Sequence, residues 1–249
     1  MPTRFKLIWY LCIVITVLGF VYLAAKDRME EAMLAEERAS KRSEARLKQL
    51  QNPKGQPQKI KVDPIKVIRE MNALGNYQEA ADLAEKVAKE FPDHAKVQTW
   101  WGISLVKLKK TQAAINHFII AAKNDPTDEK AHLYWGLTLA MEKEFAEAII
   151  HYRTVLEINP EHSNAYAYWG ASLNALKKYE DALSKLDESI ALHPLNSAAY
   201  ALRVDVLYNL KRYEEAWQAV SKARDAKISI PKGSIDRLAQ AFSEPLKKP

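Results

Sequence analysis

The chain is poor in cysteine and glycine, with one Cys (Cys12) and seven Gly among 249 residues. A single thiol excludes an intrachain disulfide framework and any zinc site built on two or more thiolates. So few glycines argue against a collagen-like chain, a Gly-rich linker protein or an all-β fold with many tight turns. The main body also lacks an excess of either charge. The net charge of +6 divides into +5 over residues 1–60, −1 over 61–231 and +2 over 232–249. A phosphate-binding surface needs a basic face on the folded body, so no nucleic-acid partner is expected. Enzymatic signatures are missing too: there is no G-x-G-x-x-G, Walker A, G-x-S-x-G or H-E-x-x-H. The six histidines (94, 117, 132, 151, 162 and 193) never stand four apart. His132 and His151 can approach across neighbouring helices, but with no cysteine nearby they are read as filling helix faces. No catalytic residue, metal or cofactor is therefore expected, and the chain reads as a non-enzyme. What remains is 48% hydrophobic and 27% charged residues, the balance of a folded protein.

One long apolar run is present. Leu7 to Ala25 holds no charge, and as a helix it would span ~28 Å, close to the ~30 Å hydrocarbon core of a bilayer. Trp9, Tyr10 and Tyr22 lie toward its ends, where amphipathic rings favour the interface. The run is longer than the ~7–15 residues of a signal-peptide core, and Leu23-Ala24-Ala25 is a poor cleavage site. Residues 1–6 are thus read as a basic leader and 7–25 as an uncleaved transmembrane helix. This makes a single-pass protein, placed in a bacterial inner membrane. Lys26, Arg28, Arg38, Lys41 and Arg42 outnumber Arg4 and Lys6, which favours a cytoplasmic over a periplasmic body. Residues 26–51, rich in Glu, Lys, Arg and Ala, read as a charged helical stalk too interrupted for a coiled-coil seam. Residues 52–60, with Asn52-Pro53-Lys54-Gly55, read as a linker.

The strongest signal is a 34-residue period. Prolines stand at 92, 126, 160 and 194, Trp-Gly pairs at 101–102, 135–136 and 169–170, and alanines at 80, 114, 148, 182 and 216. Tyr77, Phe145, Tyr179 and Tyr213 keep the same step, with Thr111 as the exception. Each unit reads as two helices. In the third, apolar stripes run over Lys130–Met141 and Phe145–Ile158, and Asn159-Pro160 ends the second. Gly136 and Ala148 are small, as needed where two helices approach closely. Pro64 fits a first helical turn capped by Asp63.

At these residues the chain resembles the tetratricopeptide repeat (TPR) family over 61–231. The resemblance implies an all-α, right-handed α-solenoid of about five helix pairs: 61–94, 95–128, 129–162, 163–196 and 197–230. A capping helix and tail are expected over 232–249, since Ile235, Leu238, Ala239 and Phe242 share one face. The outer units depart from pattern. Val67-Ile68 and Arg203-Val204 stand where Trp-Gly would, and Ile228 stands where Pro would.

The resemblance also implies which side chains line a concave groove. In the second unit they are Lys96, Thr99, Ile103, Val106 and Lys107. In the third they are Lys130, Leu133, Leu137, Ala140 and Met141, and in the fourth Asn164, Ala167, Ala171, Asn174 and Ala175. Trp100, Tyr134 and Tyr168 stand at its edge, while Trp101, Trp135 and Trp169 are assigned to inter-helix packing. Such an apolar, aromatic-edged face suits an amphipathic helix or extended peptide of another protein. Some family members bind a C-terminal carboxylate with a clamp of Lys, Asn and Arg. Here those positions hold Ile65, Arg69, Trp100, Lys130 and Tyr134; only Lys130 matches, so that clamp is not expected. The function implied is a membrane-anchored adaptor or scaffold that binds protein partners in the groove, to assemble or recruit a complex at a membrane. The alternative is a homo-oligomeric structural scaffold built by repeat–repeat or stalk self-association.

Overall fold

The computed structural model describes residues 63–245, and Lys41 before them. The expected leader, membrane helix and linker, and the rest of the stalk, lie outside the described residues. Eleven helices run through the described body: α1 (Pro64–Ala73), α2 (Tyr77–Glu90), α3 (Ala95–Lys107), α4 (Thr111–Asn124), α5 (Glu129–Met141), α6 (Phe145–Ile158), α7 (Ser163–Ala175), α8 (Tyr179–Leu192), α9 (Ser197–Asn209), α10 (Tyr213–Asp225) and α11 (Lys232–Ala241). None of them is long and apolar enough to cross a membrane. The fold is an all-α solenoid of helix pairs. The 34-residue step is visible in the backbone, since second helices start at 77, 111, 145, 179 and 213.

The stops are repeated as well as the starts. After each first helix one residue turns left-handed: Gly75 (φ 84°), then Lys109 (61°), Lys143 (68°), Lys177 (60°) and Lys211 (59°). The N–H that follows bonds back to the last turn, as in Lys110 N–H to Leu105 C=O (2.9 Å) and Glu144 N–H to Leu139 C=O (2.8 Å). This satisfies carbonyls that the helix end would otherwise orphan. Second helices end differently. Phe91, Asp125, Asn159 and His193 all adopt φ near −135°, the extended conformation forced on a residue that precedes proline.

Each pair is locked by a large side chain seated on a missing one. A Cβ built at Gly102 would lie 2.5 Å from the Phe118 ring; one at Gly136 would lie 2.6 Å from Tyr152, and one at Gly170 2.8 Å from Leu186. Glycine therefore admits a side chain of the second helix and, at Gly136 and Gly170, its backbone too, since the same Cβ would lie 3.1 Å from the Ala148 carbonyl oxygen and 3.2 Å from that of Ala182. Phe118, Tyr152 and Leu186 are fully buried there. Buried Asn72 and Thr138 are paired, Asn72 donating to the Ser104 hydroxyl (2.8 Å) and Thr138 to the Tyr134 carbonyl (2.7 Å), whereas the buried Trp169 indole N–H has no hydrogen-bond partner.

Successive first helices touch one another (α1 with α3, α3 with α5, α5 with α7, α7 with α9), whereas no comparable contact joins successive second helices. The first helices therefore line the inside of the bend. At the far end α11 lies against α9 and α10. Its Leu238 is buried, with Ile235 and Phe242 packed beside it, and the Trp217 indole N–H donates to the Phe242 carbonyl (2.9 Å).

Candidate functional site

The inner face is built by first helices, whose start positions fix which side chains point inward. Along α5, Leu133 and Leu137 are half-buried, and Met141 is 57% exposed. Trp100, Tyr134 and Tyr168 are half-buried at equivalent positions one repeat apart, and Val106, Ala140, Ala171 and Asn174 are likewise partly open. Lys96, Lys107, Lys130, Asn164 and Ala175 are exposed. Three positions of the expected groove are closed. Ile103 (3% exposed) and Ala167 (1%) pack between helices, and Thr99 (1%) donates its hydroxyl to Asp128 at 2.6 Å. Ile103 and Ala167 are thereby withdrawn from the inner face, whereas Thr99 stands in the wall of the cavity at its first repeats.

The same face deepens toward its first repeats into a cavity of about 870 Å³ over the starts of α1, α3 and α5. Lys66, Arg69, Lys96, Lys130 and Trp100 line it, together with Asp63, Asp125, Asp128 and Glu129. Two of the carboxylates, Asp63 and Asp128, are helix caps. Asp63 accepts from the Ile65 N–H (3.0 Å), and Asp128 accepts from the N–H groups of Lys130 (3.0 Å) and Ala131 (3.2 Å). Asp125 accepts from Thr127 (2.7 Å). Glu129 is held by Asn159 (3.2 Å) and His162 (3.1 Å). The groove reading from sequence began at the second unit and so passed over Lys66, while Arg69 entered it only among the clamp positions. Stepping back 34 residues from Trp100 and Ile103 finds both.

A second periodic cluster lies where each first helix meets its own second helix. His117 stacks on Trp101 and His151 on Trp135, each at 3.9 Å between ring centres, and Lys185 lies 4.8 Å from the Trp169 ring. The three indoles therefore serve packing, as part of the clusters between neighbouring helices. His132 Nε2–H donates to the Pro126 carbonyl (3.2 Å), which leaves its Nδ1 to accept from His151 Nδ1–H at 3.4 Å. Burial holds His117 and His132 below the ordinary imidazole value. Burial, joined by the charge His132 would carry, pushes His151 down to about 4. Burial raises the Tyr152 phenol in turn. The described residues hold no group of three or more potential metal ligands.

Models of the tetratricopeptide repeat match residues 70–94, 129–162 and 170–229. No curated protein sequence matches the chain. Among solved structures, a crystal structure of MamA is similar at 19% identity and a TM-score of 0.60, covering 65% of this chain and 94% of that one. MamA from Desulfovibrio magneticus RS-1 is similar at 18% and 0.60, covering 66% and 96%. PilF of Pseudomonas aeruginosa is similar at 19% and 0.65, covering 73% and 83%. At these identities the likeness is one of fold. The family is one of non-enzymatic scaffolds that engage other proteins. With its helix pairs repeating every 34 residues and three matched stretches along them, the chain is a tetratricopeptide repeat protein.

Proposed function

We propose that this repeat protein is a membrane-anchored adaptor that holds protein partners on its inner face, assembling or recruiting a complex beside a bilayer. One observation carries the reading: Leu133, Leu137 and Met141 form an apolar row on α5 that the repeats only partly cover, edged by Trp100, Tyr134 and Tyr168. Apolar side chains left partly in water on a regular surface favour a complementary apolar face, such as that of an amphipathic helix or extended peptide. The anchor is supported by the uncharged run Leu7–Ala25, and the cytoplasmic side of a bacterial inner membrane by the basic residues that follow it.

Photo-crosslinking from position 137 of the full chain in its membrane tests this. One foreign protein should dominate the adducts, and its compartment identifies the side of the membrane. Leu133→Glu with Leu137→Glu should cut its capture by about tenfold or more, since two carboxylates would be desolvated on docking, while helicity is retained. Unchanged capture by the helical double variant counts against the inner face. Adducts with the chain itself alone would favour the homo-oligomeric scaffold.

A further inference from the structure

Two imidazoles of the third repeat face each other where α5 meets α6. His132 Nδ1 and His151 Nδ1 stand 3.4 Å apart, long for a hydrogen bond. Their ring centres lie 5.6 Å apart, and the ring planes differ by only 26°. The centre separation is the nitrogen separation extended by a ring radius at each end, so the two Nδ1 atoms meet nearly head-on. The preceding repeat supplies a contrast. There Gln98 stands in place of His132, and its Oε1 lies 2.6 Å from His117 Nδ1, a short and ordinary hydrogen bond. In the third repeat the contact is looser, and both partners are common metal ligands.

The surroundings of the gap favour a cation. His132 Nε2–H donates to the Pro126 carbonyl at 3.2 Å, the kind of contact that orients a metal-binding imidazole and turns its other nitrogen toward the ion. Trp135 stacks on His151 at 3.9 Å and lies 6.4 Å from His132, its plane within 26° and 12° of theirs. A cation midway between the imidazoles is then within the ~6 Å over which an indole attracts it. Asp125 and Asp128 are near enough for their charge to be felt at His132, yet both carboxylates are engaged elsewhere, by Thr127, by Thr99 and by the start of α5. Among the described residues no further His, Cys, Asp or Glu completes a larger ligand set with the two rings.

We propose that His132 and His151 bind a soft monovalent metal ion, copper(I), as a linear pair of nitrogen ligands. Nitrogens that meet head-on favour a two-coordinate ion over a tetrahedral one, whose ligands must converge at an angle, and imidazole is a good copper ligand. Metal–imidazole bonds run about 2 Å each, so the rings part by roughly half an ångström from their 3.4 Å spacing. His151, half-buried on α6, is the ring with room to yield. On binding, the proton of His151 Nδ1 passes to its Nε2, so both rings stay neutral and the site carries the single charge of the ion. No electron is transferred. The ion ties α5 to α6 within one repeat, and the inference does not rest on the adaptor reading.

The test titrates the full chain, in neutral detergent and without oxygen, against copper(I) held by the coloured chelator bicinchoninate. Every sample carries Cys12→Ala, since a thiolate also binds copper(I). One ion per chain should leave the chelator, and X-ray absorption should show two nitrogen neighbours with the intense pre-edge peak of a linear copper(I) site. His132→Gln rebuilds the Gln98–His117 pair of the preceding repeat, so it keeps the fold and the hydrogen bond while losing a ligand. Its copper affinity should fall about tenfold or more, as should that of His151→Gln, while His193→Gln binds as the parent does. Bound copper should also raise the melting temperature of the parent and not that of His132→Gln. Three results overturn the inference: no transfer from the chelator, affinity of a folded His132→Gln within about twofold of the parent, or a copper site of three or more ligands. Tighter binding of zinc(II) by the same two rings overturns it as well, since that would be a tetrahedral site completed by water. If both histidine variants fail to fold, the X-ray absorption of the parent decides.

Discussion

The three middle repeats and the two outer ones solve one packing problem with different residues. In the middle, glycine on the first helix faces a large residue on the second: Gly102 with Phe118, Gly136 with Tyr152, Gly170 with Leu186. At the same two positions the first repeat has Ile68 and Ala84, and the last has Val204 and Val220, all fully buried. Large-with-absent, large-with-small and medium-with-medium fill comparable space. The repeat thus constrains the combined volume at the crossing more strongly than the identity of either residue, as close-packed interiors require.

The sharpest way to break that comparison is to convert a middle repeat into an outer one. Tyr152→Ala alone should cost about 3–5 kcal/mol, because it leaves a ring-sized cavity in a buried site. Gly136→Ile alone should cost about 3 kcal/mol, since even its Cβ meets the Tyr152 ring. Together they reproduce the Ile68–Ala84 pairing. The double variant should then recover roughly 2 kcal/mol or more relative to the sum of the singles, read from urea midpoints. Strict additivity would sink the shared-volume account.

A smaller effect separates the histidine-bearing middle repeats from their neighbours. His151 titrates near 4 when folded and His132 is lowered as well, both by burial, against about 6.5 when unfolded. Between those values the unfolded chain binds more protons. The contribution is therefore complete above about pH 6.5 and drains as the pH falls toward about 4. Because His151 is partly open, the loss is on the order of 1 kcal/mol. His151→Gln should flatten the acid slope of the melting temperature; an unchanged slope would place the sensitivity elsewhere.

The gentlest contrast lies in the turns. Gly75 takes the left-handed position in the first repeat, while lysines take it in the next four. Lys143→Gly should stabilise by about 0.5–1 kcal/mol, and Gly75→Lys should destabilise by a similar amount. Chemical denaturation of both variants reads the pair. Equal midpoints would mean that the lysine side chains offset their backbone strain.

Much of the architecture was legible because steric demands recur at a fixed step. Pro92, Pro126, Pro160 and Pro194 each stop a helix, and each Trp-Gly marks a crossing. The outer crossings were harder to read, since a volume exchange such as Ile68 with Ala84 leaves no shared letter. Within the inner face, period alone does not tell an inward residue from one captured by the next repeat. Thr99 is periodic with Leu133, yet it is drawn into a hydrogen bond with Asp128. Nor does sequence reveal which charges are committed. Lys130 and Glu129 are adjacent, but only the second is held by neighbours.

In the described body, no helix packs appreciably on one more than two places away along the chain. Mechanically the body is a row of short couplings, each able to flex by a small angle that adds to its neighbours'. An occupant lying along the inner face from Trp100 past the α5 row to Tyr168 would bridge several couplings at once and act as a splint. Its binding should therefore stiffen the whole row, while a lesion at the α11 end would be felt only one or two helices away.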